Sequence, residues 1–176
     1  MSRTDQILSD TIFAPASAPG RAGVSIIRIS GAGTRRAFQD MAGILPPSHR
    51  ATLRILKDRK GEPIDQALCL FFEAPHSFTG EDVGEFHIHG SPAVLNACLE
   101  TLRGFAGFRI AEPGEFARRA FDHGKLDLSE IEGLADLIDA ETDSQRRQAF
   151  KQLQGGLARE IDQWRGQLIR ALALFD

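Results

Sequence analysis

Two kinds of hydrophobic spacing divide the chain. Up to about residue 110, apolar residues alternate with polar ones or gather in short β-branched runs, the pattern of strands. Thr11–Ala14 (TIFA) and Val24–Ser30 (VSIIRIS) predict strands, with a Pro/Gly/Ala/Ser loop, Pro15–Gly23, between them. Gly31–Gly33 predicts a turn and Thr34–Ala42 a helix. Leu53–Lys57 and Ile64–Phe72 predict a hairpin joined through Asp58-Arg59-Lys60-Gly61. Val83–His89 (VGEFHIH) predicts another strand. Ser91 then supplies an N-cap and Pro92 a first helical residue, for a helix with Val94, Leu95, Cys98 and Leu102 on its apolar side. A strand around Phe108–Ala111 closes this half.

Beyond Pro113–Gly114 the spacing becomes helical throughout. Ser129 and Glu132 have the S-x-x-E spacing of a capping box, followed by Ile131, Leu134, Ala135 and Ile138. Thr142 and Gln145 predict a second box. Gly155–Gly156 predicts an interruption of that second helix, with a kink as its mildest form. Leu157, Ile161, Trp164, Leu168, Leu172 and Phe175 then form one apolar stripe. The stripe runs to the last residues without a C-cap, so the expectation is a fragment cut in mid-helix. The whole reads as an α+β protein: a mixed sheet-and-helix domain over residues 1–118, then the first part of an all-α domain over 119–176.

Composition narrows the function classes. The 176 residues carry a net charge of −3, with 42% hydrophobic and 26% charged, as in ordinary globular chains. No global basic field attracts nucleic acid. Ten acidic against three basic side chains fall within residues 111–143, a shift that matches the change of pattern. No apolar run approaches the roughly 20 residues of a membrane span. Met1–Asp10 is polar and lacks a secretory core, so a cytoplasmic protein is expected. Cys69 and Cys98 lie in apolar runs and read as buried thiols of a reducing compartment. G-x-x-x-x-G-K-[ST], G-x-G-x-x-G and G-x-S-x-G are all missing from these residues, so a P-loop, a Rossmann site and a nucleophile elbow are unsupported here.

Candidate chemistry concentrates on two strands. In Val83–His89, Glu85, His87 and His89 share one face and Phe86 and Ile88 the other. The apolar face is the core face, which leaves a carboxylate and two imidazoles as a pocket wall or a solvated strand side. A metal-dependent hydrolase built on Glu85, His87 and His89 is one alternative. However, residues i, i+2 and i+4 of a flat strand spread too far to ligate one ion without His76 or His123. Arg28 stands in VSIIRIS among apolar neighbours and must reach water or pair. If the two strands are adjacent, Arg28 and Glu85 face one cavity. They form either a structural ion pair or an anion-and-amide site, with Arg28 a fork for oxygens and Glu85 an acceptor for an amidine-like ring edge. Lys125, in a turn before the capped helix, reads by itself as solvated. No residue can be given a catalytic role, and no metal is expected.

Several stretches go further when taken together: DTIFA (10–14), APGRAG (18–23), IRISG (27–31), SFTGED (77–82), EFHIHG (85–90), AEPGEF (111–116), RAF (119–121), GKLDL (124–128) and ADLIDA (135–140). In order and spacing they resemble the N-terminal part of the MnmE (TrmE) family of tRNA-modifying GTPases over nearly the whole chain. The loop departs from the family's P-P-G-R-G-G, and His89-Gly90-Ser91 stands for H-G-G. The resemblance implies a domain similar to the tetrahydrofolate-binding domains of aminomethyltransferase-type enzymes. Such a domain binds 5-formyltetrahydrofolate, with Arg28, Glu85 and Lys125 as its contacts, and forms a homodimer. It further implies a helical domain interrupted by a GTPase domain that carries GTP, Mg and K and is missing from these residues. It implies as well a FAD-dependent partner, MnmG, and aminomethyl or carboxymethylaminomethyl modification of the tRNA wobble uridine. This chain alone is then not expected to be an active enzyme. A purely structural dimerisation module remains the other alternative.

Overall fold

The computed structural model describes residues 10–173, apart from the side chains of residues 157–162. Six strands follow the predicted period-2 segments: β1 (Thr11–Pro15), β2 (Ala22–Ser30), β3 (Thr52–Lys57), β4 (Pro63–Phe72), β5 (Val83–Gly90) and β6 (Phe108–Ile110). They form one sheet in the order β3-β4-β5-β2-β1-β6. Every pairing is antiparallel except β1 with β6. The mixed sheet with its helices is the expected α+β architecture.

The register decides which residues share a face. Phe86 lies opposite Ile27 on β2 and opposite Cys69 on β4, and Ile29 lies opposite Phe13. Paired residues point the same way. This face therefore presents Phe13, Ile27, Ile29, Phe71, Phe86 and Ile88 as one apolar surface. Two helices cover it. Helix α1 (Thr34–Ala42) buries Ala37, Phe38 and Met41, and α2 (Pro92–Arg103) buries Cys98 and Leu102. Ser91 caps α2 as predicted, its Oγ accepting from the Val94 N–H at 3.3 Å. Burial pushes the thiols of Cys69 and Cys98 up to about 12, as expected of core cysteines.

Phe38 is the hub of this core. Its ring meets Phe86 edge-on at 4.9 Å and Phe71 at 5.9 Å. Gly84 of β5 lies directly beneath it, where an added Cβ would fall on the Phe38 ring. Gly84→Ala is therefore expected to destabilise the domain by about 1–3 kcal/mol through overpacking. Urea unfolding measures it, and a change within about 0.5 kcal/mol would contradict the packing described.

The chain divides into two units, Met1–Arg119 and Ala120–Asp176, and the division falls within α3 (Glu115–Asp122). The second unit is helical: α4 (Leu128–Asp139), α5 (Asp143–Leu153) and α6 (Gly156–Leu172). Helices α4 and α5 approach closely at Gly133, where a Cβ would stand 2.6 Å from the Leu153 backbone nitrogen.

Two expectations need correction. The first box is formed by Asp127 and Glu130, not by Ser129 and Glu132. Asp127 Oδ1 accepts from the Glu130 N–H, and Glu130 Oε2 accepts from the Asp127 N–H, both at 2.8 Å. D-x-x-E and S-x-x-E overlap here, and the carboxylate also benefits from the positive end of the helix dipole. The second box, Thr142 with Gln145, forms as predicted. The interruption predicted at Gly155 is a full break, since its φ of 70° is left-handed and ends the right-handed run. Strand β2 starts at Ala22, two residues before Val24, because Ala22 pairs with Gly90 across a bulge. Of the apolar stripe, Trp164, Leu168 and Leu172 are exposed on α6. The side chains of Leu157, Ile161 and Phe175 lie outside the described residues.

Candidate ligand-binding site

The sheet face opposite α1 and α2 carries the polar residues of β2 and β5. Arg28 lies directly across the ladder from Glu85. Its Nε donates to Glu85 Oε1 at 3.0 Å, and one terminal nitrogen stands 3.0 Å from the same oxygen as an ion pair. The other carboxylate oxygen, Oε2, meets His87 Nε2 at 3.0 Å. Arg28 and Glu85 are partly buried, with 29% and 15% of their side chains exposed. The adjacency that alternation leaves open is thus settled by register.

Two aromatic rings flank the guanidinium. Its carbon stands 5.3 Å from the centre of Phe78, in the loop between β4 and β5, and 5.8 Å from the centre of Phe116 on α3. The result is a charged, aromatic-edged patch whose Glu85 accepts hydrogen bonds and whose Arg28 donates them. A planar heterocycle with a donor edge and an acceptor edge matches that chemistry.

Beside this patch lies a buried ionic network. Arg119, 1% exposed, donates to both oxygens of Glu81 at 2.9 and 3.1 Å and to the Asp10 carbonyl at 2.9 Å. Glu81 Oε2 also accepts from Ser30 Oγ at 2.7 Å. Glu115 is fully buried and takes a fork from Arg109, at 2.8 Å to Oε2 and 2.6 Å to Oε1. Burial alone would raise the Glu115 pKa. The Arg109 fork, the Glu112 N–H and the charges of Arg109 and Arg119 outweigh it and hold the carboxyl at about 2.

The remaining predicted residues are placed differently. His87 joins Glu85, but His89 turns to Asp65 of β4, with Nδ1 at 2.8 Å from Oδ1, and is 70% exposed. Burial would raise the Asp65 pKa, but hydrogen bonds from the His89 N–H and ring lower it below the ordinary value. Glu85, His87 and His89 thus do not converge. Among the described residues no group of three or more His, Cys, Asp or Glu is arranged to hold a metal ion. Lys125 belongs to the second unit, where its backbone N–H donates to the Ala120 carbonyl at 2.8 Å.

The residues that local reasoning missed are Phe78, Phe116, Glu81, Arg119 and Glu115. Their only signal is membership of SFTGED, AEPGEF and RAF, stretches without hydrophobic period. Two clefts of about 400 and 790 Å³ flank Arg59, near the β3–β4 turn and α2. Their walls mix Asp58, Arg59 and Thr101 with other side chains and share no residue with the Arg28 patch. Among the described residues no helix is long and apolar enough to cross a membrane.

Comparison with known proteins agrees with the motifs. The family model described as GTP-binding protein TrmE N-terminus matches residues 11–125, and the one described as MnmE helical domain matches residues 128–176. A tRNA modification GTPase MnmE of Phenylobacterium zucineum is 57% identical over 169 residues, covering 96% of this chain and 38% of the relative. Proteins of the same name from Roseobacter denitrificans and Beijerinckia indica are 54% and 53% identical over 95% and 94% of this chain. This chain spans 39% and 37% of those two, so it corresponds to well under half of each relative.

Proposed function

The chain belongs to the MnmE (TrmE) family, and from that premise we propose that its first unit binds a reduced folate at Arg28 and Glu85. The observation that carries the reading is the Arg28–Glu85 pair between the rings of Phe78 and Phe116. Glu85 accepts from the amino and ring N–H groups of a pterin. Arg28, and Lys125 as a third contact, donate to ligand oxygens. The neighbouring rings suit the flat face of the heterocycle. A bound tetrahydrofolate derivative, such as 5-formyltetrahydrofolate, supplies a one-carbon unit. The chain's own residues bind and orient it.

The wider function follows the relatives' name, tRNA modification GTPase. We propose that the full assembly is a cytoplasmic homodimer that works with the FAD-dependent MnmG on the wobble uridine of tRNA. GTP hydrolysis, with Mg and K, belongs to sequence outside these 176 residues, which hold no P-loop.

One observation favours a second reading. Arg28, Glu85 and His87 already satisfy one another, as a purely structural pair in a dimerisation module would. Glu85→Gln separates the two, since it keeps the shape and removes the charge. Loss of a charge-assisted bond is expected to weaken 5-formyltetrahydrofolate binding by about tenfold to a hundredfold. Unchanged affinity in a folded variant contradicts the ligand role.

A further inference from the structure

The two rings that flank Arg28 come from segments far apart in the chain. Phe78 belongs to the loop before β5, and Phe116 belongs to α3. Each segment ends on the same buried contact. Glu81 lies three residues after Phe78, and Arg119 lies three residues after Phe116, on the same side of the helix. The Arg119 guanidinium grips both Glu81 oxygens, and Ser30 Oγ donates to one of them. Ser30 stands two residues beyond Arg28 on β2 and so shares its sheet face. The loop is pinned further by Thr79, fully buried, whose Oγ1 lies 2.7 Å from Ser30 Oγ, and by Ser77 Oγ, which donates to the Glu81 carbonyl.

From this arrangement we infer that Glu81 and Arg119 are positioning residues for the ligand site. Their buried pair locks the 77–82 loop to α3 and thereby sets Phe78 and Phe116 as aromatic walls beside Arg28, ready for a planar heteroaromatic ligand. The inference rests on reading Arg28 and Glu85 as the site. It assigns Phe78 and Phe116 to ligand contact and Glu81 and Arg119 to holding them. A pair that served stability alone would leave the rings, and the environment of Arg28, unchanged when the fold survives its loss.

Two readouts test it on the purified chain. The first needs no ligand: the Nε–H resonance of Arg28, which ring currents of Phe78 and Phe116 displace. Phe78→Leu and Phe116→Leu identify each ring's share. Arg119→Met is expected to move the resonance in the same direction as Phe116→Leu, and a folded Arg119→Met that leaves it in place overturns the inference. The second is calorimetric titration with 5-formyltetrahydrofolate. Arg119→Met and Phe116→Leu are each expected to weaken binding by about tenfold, and together by no more than the larger single loss. Losses that multiply overturn the inference. If Arg119→Met does not fold, Arg119→Lys, which keeps the buried charge, takes its place in both measurements. A parent chain that binds no folate removes the folate reading, and the Arg28 resonance then decides the positioning claim alone.

Discussion

Glu115→Ala is expected to destabilise the first unit by about 3–5 kcal/mol, because it removes one partner of a buried ionic cluster. The carboxylate is fully buried and accepts the Arg109 fork and the Glu112 N–H. It also stands 3.6 Å from the buried Arg119. Without it, Arg109 loses its main partner and Arg119 loses one of its counter-charges. Glu115→Gln retains acceptor oxygen and shape, so its loss should be smaller. Urea unfolding near neutral pH measures both, and a Glu115→Ala loss below about 1 kcal/mol contradicts the account. The cluster also predicts a pH dependence. The folded carboxyl sits at about 2, below its ordinary 4.5. Its contribution is therefore fully present above about 4.5 and disappears as pH falls toward 2. Glu115→Gln should lose less stability than the parent over that window, and equal losses would show that other groups control the acid limb.

Phe38→Ala is expected to destabilise the same unit by about 3–5 kcal/mol. The ring is fully buried between α1 and the sheet, meets Phe71 and Phe86 edge-on, and fills the space that Gly84 leaves open. Truncation leaves a cavity that neighbours on a hydrogen-bonded sheet cannot close. Thermal or urea unfolding measures the loss. A double variant, Phe38→Leu with Gly84→Ala, should recover part of the stability of each single change, since the smaller side chain makes room for the added methyl. Strict additivity of the two would contradict the contact.

The sheet was legible because its signals are local. Period-2 alternation in VGEFHIH separates Glu85 and His87 from Phe86 and Ile88, and Ser91-Pro92 announces the start of α2. Even so, alternation places Arg28 and Glu85 only on their own strands' faces. Their union needs the β2–β5 register, which depends on pairing across 57 residues. The rings and the latch were harder still. Phe116 reaches Arg28, and Arg119 reaches Glu81, through packing of α3 against the loop before β5, and no periodicity encodes that. The choice of Asp127 over Ser129 as a cap shows the same limit on a small scale. Two overlapping boxes are locally equivalent in spacing, and the start of the helix selects between them. At Gly155 the glycine pair signals an interruption, and only the left-handed φ shows that it is a full break.

The most direct test of the central claim is calorimetric titration of the purified chain with 5-formyltetrahydrofolate, with Arg28→Ala and Glu85→Ala alongside. Saturable binding by the parent is expected, with a loss of about tenfold or more in each folded variant. A folded parent that shows no heat of binding, or variants that bind as the parent does, would contradict a folate site at the Arg28–Glu85 pair and leave that pair a structural one.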